Sequence, residues 1–306
     1  MITGLGVLAP NGIGKDAFWD ATVNGVSGAE TITKFDASQM TSQIACEVKG
    51  FDPRAHGLDE YESTTLDRHV QLAVAAAVEA VADAELDVDA VDKERAGAFV
   101  GSTNSAPETF ETEWERLTNK GQERFIGKED QLPGDFYFGL LSNAAPCSIA
   151  IHYGFKGPSI LVSDACSSGV DAIEQARHAI FDGFCDVAIA GGTDASVTPM
   201  GLSCYCTLGA VSKRNEDPKG ASRPFDRDRD GFVLGEGAAM VVLEELEHAQ
   251  KRGARIYAEV LGVATNTNAY HMTALPTGGE PLAVVMRVAM QRAGVEPRQV
   301  GYLNAH

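Results

Sequence analysis

One stretch limits the fold of this chain more than any other. Ser159-Ile160-Leu161-Val162-Ser163 is an apolar strand, and a sharp turn follows it. From Gly169 to Phe181, Val170, Ile173, Ala176 and Ile180 then recur on one helical face. Gly183 stands where a helix C-terminus turns left-handed. Asp186-Val187-Ala188-Ile189-Ala190 is a second strand, closed by Gly191-Gly192. Strand, helix and strand make a βαβ unit, which implies parallel pairing and a right-handed crossover.

The same alternation runs through the rest of the chain and points to an α/β fold. Residues 15–24 read as a short helix, 66–85 as a long Ala-rich helix, and Ala96 to Gly101 as a buried strand. Residues 106–119 read as an exposed helix or loop, and 139–152 as a helix with small residues for close packing. Gly237 to Leu243 reads as a strand, Glu245 to Arg252 as a helix, and Arg255 to Val263 as another strand. A last strand begins at Val300. With 306 residues, 44% apolar and 22% charged, the chain is one large globular domain or two ordinary ones.

Charge excludes some partners. A formal net charge of −18 argues against nucleic acid or an anionic membrane, since both need a basic surface. The densest basic stretch, Lys213, Arg214, Lys219, Arg223, Arg227 and Arg229, reads as a solvated face laced with acids. No apolar run is long enough to span a bilayer, and Met1-Ile2-Thr3-Gly4 does not open a signal peptide. Six scattered cysteines do not form a disulfide framework, so the cytoplasm is the expected compartment.

Within the βαβ unit, Cys166 sits on the strand-to-helix turn. Unpaired N–H groups and positive potential at a helix N-terminus favour thiolate and can hold an oxyanion. Ala165, Ser167, Ser168 and Gly169 are small and leave the sulfur accessible. The alternative is a cysteine packed as a small hydrophobe. Cys46, Cys147 and Cys185 lie in apolar stretches and read as core, while Cys204 and Cys206 lack the second pair or histidine that a zinc site needs.

Two other motifs fail on context. Gly4-Leu5-Gly6-Val7-Leu8-Ala9 matches a dinucleotide fingerprint but lacks the strand before it and the helix after it. Asp226 to Gly231 resembles half a calcium loop, but Gly237 stands where the bidentate Glu belongs. No metal is expected. His56, His69, His178 and His248 read as surface residues and His152 as structural. His271 lies in a polar loop, and His306 ends the last strand, at a sheet edge of the kind where ligands bind.

Taken in order, several motifs resemble the β-ketoacyl-acyl-carrier-protein synthases. They are Thr3-Gly4-Leu5-Gly6, Asp164 to Gly169, Gly191-Gly192-Thr193-Asp194 and Ser222-Arg223-Pro224-Phe225-Asp226. Arg229 to Val233, Gly235 to Ala238, Asn268 to Thr273 and Tyr302 to His306 complete the set, which covers essentially the whole chain. The resemblance implies a thiolase-like αβαβα layered fold of two βαβαβαββ halves. On that basis residues 1–254 are the half that carries the nucleophile, and residues 255–306 begin a second, incomplete half.

The resemblance also implies the chemistry. Cys166 would take an acyl chain from acyl carrier protein, and malonyl carrier protein would lose CO₂ and attack that acyl thioester. His306 would bind the malonyl thioester carbonyl, with the Cys166 amide as one oxyanion donor. Thr273 would contact the phosphopantetheine arm, with His271 nearby. No cofactor is expected beyond that carrier-borne arm. The partners implied are acyl carrier protein and either a second copy or a chain-length-factor-like subunit.

Departures from the family pattern matter as well. The family continues past His306 with a catalytic Lys, a second His and a Gly-Phe loop, so the chain is expected to be a fragment, inactive alone. Phe51 to Leu58 and Leu66-Asp67-Arg68 look more like the polyketide ketosynthase subunit than the fatty-acid enzyme. Asn104 stands where fatty-acid enzymes often place an apolar gate; it is either a polar lining for an oxygenated chain or a packing variation. A non-condensing partner is the competing reading: Cys166 speaks against a structural chain-length subunit, while the missing C-terminal residues leave open a truncated paralogue that only binds carrier protein. Thiolase chemistry on coenzyme A is a third, and Arg229 to Val233 speaks against it.

Overall fold

A computed structural model of the chain describes residues 1–104 and 106–306. The first elements are β1 (Ile2–Ala9), β2 (Gly12–Ile13), α1 (Lys15–Val23), β3 (Ala29–Thr31) and β4 (Ile44–Cys46). Next come α2 (Glu60–Thr65), α3 (Arg68–Asp83), β5 (Ala96–Gly101), α4 (Pro107–Thr118), α5 (Phe136–Leu140) and α6 (Ala144–Tyr153). The βαβ unit is β6 (Ser159–Val162), α7 (Ser168–Phe181) and β7 (Val187–Ala195). After it follow α8 (Pro199–Leu208), β8 (Glu236–Glu244), α9 (Leu246–Lys251) and α10 (Glu280–Ala293).

Six strands form a mixed sheet in the order β2-β1-β8-β7-β5-β6. The βαβ unit forms as expected, but its two strands do not pair with each other. Instead β5 lies between them, parallel to both. From β7 outward the pairing turns antiparallel through β8, β1 and β2.

Strand alternation sorts the core onto two faces. Ala96, Ala98 and Val100 of β5, Val187 and Ile189 of β7, and Met240 and Val242 of β8 pack with α3 and α6. Phe99, Ala188, Ala190 and Leu243 point the other way and pack against Ala172 and Ala176 of α7. The result is an α/β/α half with α3 on one side and α7 on the other.

Helix α3 starts at Arg68 and not at Leu66, because Asp67 caps it by accepting from the His69 N–H at 3.1 Å. Its alanines let it lie close to β1. A Cβ on Gly6 would come within 2.6 Å of the Ala80 nitrogen, and one on Gly4 within 2.7 Å of the Ala84 Cβ. Both glycines therefore lie inside a strand against a helix, not at the turn a dinucleotide motif needs.

Charge fixes the 29–48 segment to this core. The fully buried Glu236 side chain takes two bonds from Arg68, at 2.7 and 2.9 Å, and one from Lys34 at 3.2 Å. Burial pushes its carboxyl upward, but these cations outweigh that and hold it below the usual range. His69, expected on the surface, is fully buried: its Nδ1 lies 2.6 Å from Asp67 Oδ1.

Two expected strands are missing beyond Arg255. Residues 255–263 run beside β1 but make one bridge, Ile2 to Ala258, with Ile2 N donating to Ala258 O at 2.8 Å. Residues 300–306 are exposed and lie outside any strand. Apolar strands need ladder partners, and beyond that one bridge these segments find none among the described residues. Arginines tether this part to α7: Arg177 of α7 donates to the Val260 carbonyl at 2.9 Å, and Arg292 of α10 donates to the Val263 carbonyl at 2.7 Å and to Glu174 of α7 at 3.4 Å.

The close contact of β1 with α3 gives a direct test. Gly6→Ala should destabilise the chain by about 1–3 kcal/mol through overpacking, read as a lower denaturant midpoint. An unchanged midpoint would contradict the tight approach.

Candidate active site

The site is built where β6 turns into α7. A single 3₁₀ turn, Ala165–Ser167, joins them and carries Cys166. Ala165 is left-handed, with φ 66°. That conformation costs an L-residue about 1–2 kcal/mol, so its surroundings must hold it. Ser168 Oγ donates to the Ala165 carbonyl at 2.6 Å and accepts from the Asp164 N–H at 3.0 Å. From the loop after β5, the Thr103 hydroxyl reaches the same carbonyl at 3.4 Å.

Glycines bring the turn onto the sheet. A Cβ on Gly101, at the end of β5, would collide with the Ser168 carbonyl group. A Cβ on Gly192 of β7 would press on the Gly169 Cα at 3.2 Å. The N-terminus of α7 is thus seated against the carboxyl ends of β5 and β7, the edge where parallel sheets bind ligands. Cys166 is exposed there. Among the described residues its N–H has no acceptor, which leaves it available to an oxyanion.

Carboxyls flank the thiol. Asp164 precedes it by two residues, and Asp171 lies buried in the first turn of α7. Burial, and then the neighbouring Asp164 carboxyl, push Asp171 up to about 6. Among the described residues its Oδ2 is buried without a hydrogen-bond partner. Asp171 therefore holds a proton in mildly acidic solution and ionises toward neutral pH.

Of the other expected site residues, Asn104 lies near this turn, its Nδ2 donating to Ser196 Oγ at 3.0 Å, and the rest lie apart from it. His271 and Thr273 are exposed in a loop that bonds to itself, with the Thr273 N–H donating to His271 Nδ1 at 3.1 Å. His306 is exposed, and no hydrogen bond among the described residues ties it to Cys166. Cys185 is the opposite of Cys166, since burial pushes its thiol up to about 11. Cys46 and Cys147 are half-buried and not full core, and Cys204 is exposed on α8. The 226–231 segment is a surface turn, with Asp230 accepting from Ser212 Oγ at 2.7 Å and the Lys213 N–H at 3.0 Å. No group of three or more metal-ligating side chains occurs among the described residues, nor is any helix long and apolar enough to cross a membrane.

The family described as "Beta-ketoacyl synthase, N-terminal domain" matches residues 1–249, and "Beta-ketoacyl synthase, C-terminal domain" matches residues 257–306. The chain belongs to the β-ketoacyl synthase family. Among curated ketosynthases it is 41% identical over 305 residues to "Putative polyketide beta-ketoacyl synthase 1" of Streptomyces cyaneus, covering 100% of this chain and 72% of that one. It is 40% identical over 306 residues to "3-oxoacyl-[acyl-carrier-protein] synthase 2" of Coxiella burnetii, with the same coverage.

Solved ketosynthases share the fold. A type II polyketide acyl-carrier protein in complex with its ketosynthase, "AntDE:AntF (apo)", superposes with a TM-score of 0.88 at 32% identity, over 98% of this chain and 71% of that one. "The ishigamide ketosynthase/chain length factor" gives 0.85 at 31%, over 98% and 70%. The fold is therefore the thiolase-like one, with its second half incomplete relative to these neighbours.

The raised Asp171 carboxyl sets a pH dependence. A group whose folded value lies above its ordinary 3.8 stabilises the fold below that value and loses the contribution as pH rises through about 6. Asp171→Asn should therefore raise the melting temperature at pH 7–8 and lose that advantage near pH 4. Parallel melting curves across this range for both proteins would contradict the assignment.

Proposed function

We propose that this chain carries the acyl-loading machinery of a condensing enzyme that elongates carrier-bound acyl chains, with Cys166 as the acyl acceptor. The observation that carries this is the exposed Cys166 on a strained turn at the N-terminus of α7. In loading, the Cys166 sulfur attacks the carbonyl of an acyl thioester on carrier protein. The tetrahedral oxyanion takes the Cys166 N–H, and the phosphopantetheine thiol leaves with the proton. In condensation, malonyl carrier protein loses CO₂, its carbanion forms the new carbon–carbon bond, and Cys166 is released as thiolate.

We assign His306 to the malonyl carbonyl and Thr273, beside His271, to the phosphopantetheine arm. Because these residues make no hydrogen bond to the Cys166 turn, residues 1–306 alone are assigned loading and not condensation. No further cofactor is needed for this chemistry, since the acyl groups arrive on the carrier. Asn104, bonded to Ser196, lines the mouth of the acyl site.

Acyl carrier protein is the proposed partner, with a second copy or a chain-length-factor-like subunit completing the assembly. Relatives named for both polyketide and fatty-acid synthesis support an elongating role, and the match of Phe51 to Leu58 and Leu66 to Arg68 favours the polyketide branch. Six free thiols and a net charge of −18 fit a reducing cytoplasm and a role away from nucleic acid and anionic membranes.

Incubation with acyl-charged carrier protein should add one acyl mass to the Cys166 peptide and none to the Cys204 peptide. Cys166→Ala should abolish the adduct. A folded protein that takes no acyl group from any charged carrier would overturn the assignment.

A further inference from the structure

Strand β7 runs on to Ala195, past Gly192, whose partner Gly101 is the last residue of β5. The overhang carries Asp194 beside the loop that leaves β5. There, Asp194 Oδ1 accepts from the Thr103 N–H at 3.0 Å, the Asn104 N–H at 3.1 Å and the Ser102 hydroxyl at 3.2 Å. Oδ2 accepts from the Thr103 N–H at 3.2 Å. One side chain thus gathers the donors that β5 leaves behind when its ladder ends.

The gathered loop acts on the site in two directions. Thr103 reaches the carbonyl of the left-handed Ala165, the residue before Cys166. The Asn104 side chain spans to Ser196. Both depend on the backbone of residues 102–104 staying where Asp194 holds it.

We propose that Asp194 is a positioning residue for Cys166, acting through Thr103 on the nucleophile turn and through Asn104 on the mouth of the acyl site. Asp194 does not touch the sulfur. Its effect is geometric: it fixes the loop that buttresses the strained carbonyl, and a nucleophile displaced by about 1 Å can lose 10²-fold in rate. The assignment to the acyl site rests on the proposed function, whereas the effect on the thiol does not.

Two mechanisms predict opposite signs. If Asp194 acted only as a negative charge near the sulfur, removing it would ease thiolate formation and speed alkylation at neutral pH. If it positions, removing it slows alkylation, and the effect tracks the hydrogen bonds and not the charge. Asn at this position loses the charge but keeps a carbonyl oxygen for the Thr103 and Asn104 N–H groups; Ala loses both.

The test is iodoacetamide alkylation of the 306-residue chain at neutral pH, with the Cys166 and Cys204 peptides quantified separately. Asp194→Ala should slow Cys166 at least about tenfold and Asp194→Asn much less, with Cys204 unchanged in both. Thr103→Val should slow Cys166 in the same direction and Thr103→Ser restore it. Cys166 alkylated as fast as wild type, or faster, in Asp194→Ala would overturn the proposal. Should Asp194→Ala fail to fold, the Thr103 pair decides: equal rates for Val, Ser and wild type overturn it. Acyl loading from charged carrier is measured alongside; its failure in the wild-type protein counts against the proposed function, while the alkylation contrast still judges Asp194.

Discussion

The close seating of the α7 N-terminus on the ends of β5 and β7 is the contact on which the rest of the site depends. It is possible because position 101 has no side chain to collide with the Ser168 carbonyl and position 192 none to press on Gly169. A helix that begins this near the sheet must be reached by a sharp turn, and that turn puts Ala165 in the left-handed region. The strain is held by Ser168 from within the helix and by Thr103 from the loop after β5. Cys166 is left outside, with an open N–H beside an exposed sulfur. The other face of the sheet uses the same device, where Gly4 and Gly6 admit the alanine ridge of α3.

Charge is handled by pairing in the scaffold and by a raised carboxyl, Asp171, at the site. Glu236 and Glu244 are buried and would be costly alone. Arg68 and Lys34 neutralise the first, and Arg252 the second, which also has His248 Nδ1 at 2.7 Å. No cation pairs with Asp164 or Asp171 among the described residues; burial, and then the Asp164 carboxyl, raise Asp171 to about 6, so it keeps a proton only in mildly acidic solution. The basic stretch from Lys213 to Arg229 is laced with acids, as its sequence suggests: Arg214 faces Asp230 at 3.5 Å, and Arg227 faces Asp228 at 3.2 Å.

The βαβ unit and its cysteine were legible in the sequence because their signals are local. Apolar runs of strand length, a helical stripe and small residues at a turn report on neighbours along the chain. Strand order was not legible, since β5 enters between β6 and β7 from more than fifty residues upstream. Burial of His69 was hidden for a similar reason: its partner Asp67 reads as an ordinary helix cap. The strands expected at 255–263 and 300–306 have the right composition, but a strand exists only with a ladder partner, which composition does not carry. Asp194 was visible only as part of a motif. Its work depends on the loop after β5, some ninety residues earlier.

The central claim is that glycine-permitted contact between helix and sheet makes Cys166 the acyl acceptor. The most direct measurement is the rate of acyl transfer from charged carrier protein to Cys166 in Gly101→Ala, compared with wild type in the same complete protein. A Cβ at 101 must push Ser168 away and disturb the turn, so a folded variant should load about 10²-fold more slowly. A folded Gly101→Ala protein that loads at the wild-type rate would contradict the account.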